Sequence, residues 1–154
     1  MEAFPDALTV LDAGSLREGT DILSRKVDYC IASERFAREV SGAAPSDGPE
    51  AAKTALTELA RRGAVHAAIT AGEAGCYHLA PDPGASPGVR RVPALLSRAV
   101  DTTAAGDIFH GAFTFALLED REFAAALAFA SAAAGLSVQR PGGRDSIPGL
   151  AETR

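Results

Sequence analysis

The stretch DTTAAGDIFHGAFTFALLED, residues 101–120, carries an acid, Asp107, into the mouth of an apolar helix. Asp101, Thr102 and Thr103 already supply helix-capping chemistry, and a cap needs only one such residue. Between them and Asp107 lie Ala104, Ala105 and Gly106, small enough for a ligand to approach the backbone, with Gly106 free to take a positive φ. A helix start offers unpaired N–H groups and the positive end of the helix dipole, so 104–106 reads as a cradle for a phosphate or a developing anion. A carboxylate beside such a cradle cannot hold phosphate, but it can take the proton of a hydroxyl that attacks one. That pairing suits phosphoryl transfer to an alcohol, where positioning and charge stabilisation dominate. Plain capping of a polar helix start is the competing explanation.

Outward from this stretch, the chain alternates strand-like and helix-like pieces. Apolar runs at 7–14, 27–33 and 64–70 predict buried strands, and 75–80 and 89–95 predict two more, the last an edge because of Pro93. Helical spacing marks 17–26, ERFAREV, and 50–63, with Pro49 as a start and Gly63 as a stop. Proline and glycine make 81–88 a loop, and two alanine-rich helices follow near 105–119 and 121–137 before the tail turns at RPGGRDSIPG. This order predicts an α/β fold with parallel crossovers, in which ligands gather at the carboxyl ends of strands. Both TAGEAG (70–75) and DTTAAGD (101–107) fall at such ends. Phe109, Phe113 and Phe115 are expected in the core, His66 and His78 as ordinary strand residues, and His110 at the surface or in packing.

Bulk properties limit the function classes. A chain of 154 residues with 47% hydrophobic residues is one domain's worth of globular protein. A net charge of −5 argues against nucleic acid as a partner. Cys30 and Cys76 lack metal-ligand spacing and read as buried apolar residues. No run approaches membrane-span length, and MEAFPDALTV lacks the basic start and apolar core of a leader, so a cytoplasmic protein without a membrane partner is expected.

The full pattern Asp101-Thr102-x-Ala104-Ala105-Gly106-Asp107-x-x-x-Gly111-Ala112-Phe113 resembles the second signature of the ribokinase-like carbohydrate kinases, the PfkB family. DAGSLREG, VDYCIASERFA, TAGEAGCYHL and ASAAAGLSVQRPGGRDSIP extend the resemblance in the same order over essentially the whole chain, as the C-terminal half of a typical member. It implies a three-layer α/β/α fold with a mostly parallel sheet, and ATP-dependent phosphorylation of a sugar or related alcohol. By the same resemblance Asp107 is the base and Ala104, Ala105 and Gly106 form the anion hole. Thr70, Gly72 and Gly75 belong to the loop that contacts ATP, with Ser131 near the adenine. Mg2+ accompanies ATP or ADP, and Asp101, Thr103, Ser137, Arg140, Gly142 and Ser146 match a monovalent cation site that takes K+ in some members.

Two departures stand out. The family usually has glycine where this chain has Ala104, a cost on the order of 1 kcal/mol if that position needs positive φ. Many members carry Asn-x-x-Glu where this chain has Ser33 and Phe36, with Glu34 out of register. The sugar-binding half that the family places ahead of these elements has no counterpart here, so a homodimer or a separate sugar-binding half is an expected partner, and the chain alone is expected to be inactive. A non-catalytic nucleotide-binding module and an inactive truncated remnant remain alternatives.

Overall fold

The computed structural model describes residues 6–80, 87–95 and 98–153, which divide into two compact units. The first comprises Met1–Ala71 and Tyr77–Arg90, the second Gly72–Cys76 and Arg91–Arg154. Most of the expected loop at 81–88 lies outside the described residues.

In the first unit the apolar runs become β1 (Val10–Ala13), β2 (Tyr29–Ser33) and β3 (His66–Thr70). They pair in parallel, from Val10 opposite Tyr29 and from Tyr29 opposite His66. Their starts are tied together by two residues. The Thr9 N–H and hydroxyl both donate to the Asp28 carboxylate, at 2.8 and 2.6 Å, and the His66 N–H donates to the Asp28 carbonyl at 2.9 Å. The strands β4 (Cys76–Ala80) and β5 (Gly88–Val92) complete one sheet in the order β1-β2-β3-β4-β5. The connection between β3 and β4 is too short for a parallel crossover, so the sheet is mixed and the expected parallel pairing holds over its first three strands.

Helices α1 (Glu18–Leu23), α2 (Glu34–Ser41) and α3 (Pro49–Arg62) belong to this unit. The apolar stripe of α2 and α3 sets Phe36, Ala37, Leu56 and Leu59 against Cys30, Ala32 and Ile69 of the sheet in one buried cluster. Ser33 ends β2 and caps α2: its hydroxyl accepts the Phe36 N–H at 3.1 Å and donates to the Gly14 carbonyl at 2.7 Å. Gly63 stops α3 at φ +120°, where a side chain would press to 2.7 Å from the Arg25 carbonyl oxygen.

The second unit is led by a helical hairpin, α4 (Ala105–Leu118) and α5 (Phe123–Ser137), followed by the short α6 (Leu150–Thr153). Phe109 and Phe113 are buried as expected, and Phe113 meets Phe123 edge to face at 5.9 Å between ring centres. Phe115 is a correction: it stands 38% exposed, because two residues beyond Phe113 the helix turns its side chain away from that core. No helix among the described residues is long and apolar enough to cross a membrane.

Cys30 and Cys76 are free and fully buried, and burial pushes each thiol up to about 12. Neither is a thiolate at pH 8, so a thiol-specific reagent should leave both unlabelled in the folded protein and modify both in denaturant. Mass spectrometry of the labelled peptides checks this residue by residue; rapid native labelling of either thiol contradicts the packing described.

Candidate active site

Helix α4 begins without a side-chain cap. Its entry residue, Ala104, has left-handed backbone (φ 59°, ψ 12°), so the turn of the signature is made by an alanine. This corrects the expectation for Gly106, which has no positive φ and lies inside the helix. A side chain at Gly106 would meet nothing within 4 Å, consistent with an open approach to the backbone there. Around this turn the Ala105 N–H donates to the Thr102 carbonyl at 3.2 Å and the Ile108 N–H to that of Ala104 at 2.9 Å. The N–H groups of Gly106 and Asp107 have no such acceptor among the described residues. The Asp107 carboxylate sits exposed in this first turn, where the helix dipole suits an anion. One turn further on, His110 Nδ1 lies 2.7 Å from the Gly106 carbonyl oxygen, a local packing role as expected.

The turn is held from the side by Asp101. One carboxylate oxygen accepts the Thr103 N–H at 2.9 Å and the other accepts the Gly142 N–H at 2.8 Å. Hydrogen bonds from the Thr103 side chain, the Gly142 N–H and the Thr103 N–H hold this carboxyl down at about 2. The Val138 carbonyl adds bonds from the N–H groups of Val100 and Asp101, at 2.7 and 3.1 Å. Gly143 then passes so close that a side chain on it would come within 3.2 Å of the Ala104 methyl. Arg144, which the sequence did not single out, lines a groove with Ala104, Asp107 and Gly143. Its only sequence signal is its place two residues after Gly142, in a tail already marked as a turn.

Of the six residues matched to a cation site, Asp101, Thr103 and Gly142 converge in this clamp. The others are engaged elsewhere: the Ser137 hydroxyl donates to the Ala134 carbonyl, the Ser146 hydroxyl to that of Gly143, and Arg140 pairs with Glu152. No group of three His, Cys, Asp or Glu side chains among the described residues could hold a metal ion.

The residues matched to ATP contacts fall in both units. Thr70 ends β3 in the first, its hydroxyl donating to the Ala32 carbonyl at 3.3 Å. In the second, Gly72 and Gly75 bracket a turn of 3-10 helix with φ of 52° and 90°. A side chain on Gly75 would overlap the Val92 carbonyl oxygen at 2.1 Å, so glycine is obligatory there. Ser131 is buried on α5 and donates to the Pro93 carbonyl at 3.1 Å. Glu34, the displaced acid of the first unit, accepts the Ser46 N–H at 2.7 Å, and Phe36 is core. Position 36 thus serves packing rather than magnesium or phosphate.

The profile of the pfkB family carbohydrate kinases matches residues 7–150. The ribokinase of Haemophilus influenzae is 35% identical over 134 residues, which cover 87% of this chain and 42% of that protein. A ribokinase from Thermotoga maritima is similar in structure with a TM-score of 0.75 at 25% identity, over 99% of this chain and 50% of that one. Arabidopsis thaliana ribokinase, solved with ribose and ATP, gives a TM-score of 0.74 at 28% identity over 94% of this chain and 45% of its own. The chain therefore spans half or less of the length of these relatives.

Two outcomes test the turn. Ala104→Gly should raise stability by up to about 1 kcal/mol in urea unfolding, since glycine removes the left-handed strain at some entropic cost; a loss of stability would mean that the turn is not left-handed. For Asp101 the lowered pKa sets the sign. Its contribution is complete above the ordinary value of 3.8 and disappears as pH falls through about 2. The stability gap between the wild type and Asp101→Asn should therefore stay constant from pH 8 to 5 and close on acidification, and a gap that closes near neutrality contradicts the clamp.

Proposed function

The chain belongs to the pfkB family of carbohydrate kinases, and on that premise we propose that it serves ATP-dependent phosphorylation of a hydroxyl on a sugar or sugar-like alcohol, with Asp107 as the base. We assign its residues to the C-terminal, nucleotide-handling portion of such a kinase, with the groups that select the sugar contributed from outside them. The observation that carries this proposal is the exposed Asp107 carboxylate in the first turn of α4, directly after a left-handed Ala104 that leaves N–H donors open.

The division of labour follows from that geometry. Asp107 takes the proton of the attacking hydroxyl as the oxygen becomes nucleophilic. The open N–H groups at the head of α4 offset negative charge that develops on the transferring group, and they need no reorganisation to do so. The Asp101 clamp keeps the turn in place and acts through it as a positioning group. When bound, ATP would supply the phosphoryl group and Mg2+ would offset the charge on its phosphates. Thr70, Gly72 and Gly75 are the proposed nucleotide-loop residues, and Ser131 keeps acceptor capacity on its hydroxyl while it donates to Pro93. Of the six residues matched to a potassium site, Asp101, Thr103 and Gly142 form the turn clamp, and no step is routed through that ion.

Asp107→Asn keeps the size of the side chain and removes the base. In an assembly that turns over, it should lower kcat by about 10²–10⁴-fold while calorimetric titration shows Mg-ATP affinity unchanged. Full turnover by Asp107→Asn would overturn the assignment.

A further inference from the structure

His110 follows the proposed base on α4, and its ring is bonded back into the first turn of that helix. The contact packs the ring, and it also settles which ring nitrogen carries hydrogen. A carbonyl oxygen only accepts, so His110 Nδ1, 2.7 Å from the Gly106 carbonyl oxygen, is the donor. Side chains on a helix lean toward its N-terminus, which brings residue 110 back over the carbonyl of residue 106. Regular helix register gives that oxygen the His110 N–H as well, and a carbonyl has lone pairs for both. Phe109, which is buried, meets the imidazole at 5.9 Å between ring centres and 66° between ring planes, and so braces it.

The consequence lies in the peptide unit on which this bond lands. The Gly106 carbonyl and the Asp107 N–H belong to one peptide group, and that N–H is one of the two donors left open at the head of α4. Within a helix the carbonyl and the N–H of one unit point opposite ways along the axis, so the imidazole sits behind the peptide and the open donor faces out. The two ends share one conjugated group, and a donor on the oxygen therefore leaves the N–H more positive. We propose that His110 is a positioning residue for the proposed phosphoryl transfer: its Nδ1–H, bonded to the Gly106 carbonyl, holds and polarises the Asp107 N–H that offsets charge on the transferring group. It acts through the peptide, not by touching the acceptor. The proposal rests on the kinase reading above. Removing a whole donor from such a cradle costs about 10²–10³-fold in kcat, and one hydrogen bond strengthens the next by roughly 10–30%, so loss of the imidazole bond should cost about 2- to 8-fold.

Three substitutions separate the donor from the ring. His110→Phe keeps a ring and removes the donor, whereas His110→Asn removes the ring and keeps an N–H near the place of Nδ1. His110→Ala removes both, suits a helix interior, and keeps the test decisive if His110→Phe fails to fold. In nitrogen-15 spectra of the full chain, His110 should show a protonated Nδ1. The Asp107 amide proton should move upfield in the Phe and Ala variants and stay near its wild-type position in His110→Asn. In an assembly that turns over, kcat should fall about 2- to 8-fold in the Phe and Ala variants at unchanged KM for Mg-ATP, with His110→Asn returning most of it. A bare Nδ1 overturns the proposal, as does an Asp107 amide that ignores the loss of the donor. A kcat that falls equally in the Phe and Asn variants also overturns it, because packing and not the donor would then be the cause. The amide measurement needs no turnover, so it stands or falls apart from the kinase reading. Full turnover by Asp107→Asn, in turn, removes the base assignment and leaves the imidazole bond to the peptide standing.

Discussion

A helix must do something with the N–H groups of its first turn, and α4 leaves that need open where its neighbours meet it. Helix α2 has Ser33, whose hydroxyl closes the first turn at 3.1 Å, and α3 begins on Pro49, which has one donor fewer to satisfy. Helix α4 begins on an alanine in left-handed conformation with no side-chain cap. Left-handed alanine costs roughly 1–2 kcal/mol, a strain that persists only where surrounding structure over-determines it. Here the surroundings are the Asp101 bridge to Thr103 and Gly142, the Val138 carbonyl with its two donors, and the close passage of Gly143 over Ala104. The open donors, the exposed carboxylate and the packed tail are therefore one arrangement, and loosening any part of it would let the helix start relax.

The same economy of space governs the opposite side of the second unit. Gly75 admits no side chain because the Val92 carbonyl would be 2.1 Å away, and a side chain on Gly135 would come within 2.6 Å of the Leu95 side chain. With Ser131 bonded to Pro93, α5 and the 93–95 segment are drawn together by small residues rather than by large apolar ones. Alanine richness in α5 thus serves close approach. Its exposed positions Ala124, Ala125 and Ala128 are alanine as well, so the helix has no polar face there to display.

How far this was legible in the sequence depends on the range of the interactions involved. Strands β1 to β3 and the helices between them follow from local apolar patterning, and their bounds contract by a residue or a few because strand ends fray into polar loops. Asp107 and its small neighbours were visible because a contiguous motif encodes them. What local pattern cannot report is which residue takes the strained backbone: glycine is the default choice, so Gly106 drew the expectation that Ala104 fulfils. Nor can it report that Phe115 faces out while Phe109 and Phe113 face in, since that depends on where α5 and the tail pack. Arg144 lines the groove two residues beyond Gly142, whose bond to Asp101 joins positions 41 apart in sequence. Residues 33–36 show the converse. Their departure from the family motif was plain in the sequence, and the structure supplies the reason, with Ser33 spent on a cap and Phe36 on the core.

Catalysis and selection also separate on physical grounds. Stabilising a transferring phosphoryl group needs donors and a base at one point, and the head of α4 places open N–H groups and the Asp107 carboxylate within a single turn. Selecting one polyol among many needs several hydrogen-bonding groups spread around the ligand, because discrimination comes from polar partners left unpaired by the wrong substrate. The surface next to Asp107 offers Arg144 and Thr153 and is otherwise carbon. Such a surface cannot distinguish hydroxyl patterns, however well it is positioned. What it offers instead is apolar area to bury. On the proposed reading, the chain would carry the groups common to any acceptor, and the groups that distinguish acceptors would come from outside its described residues.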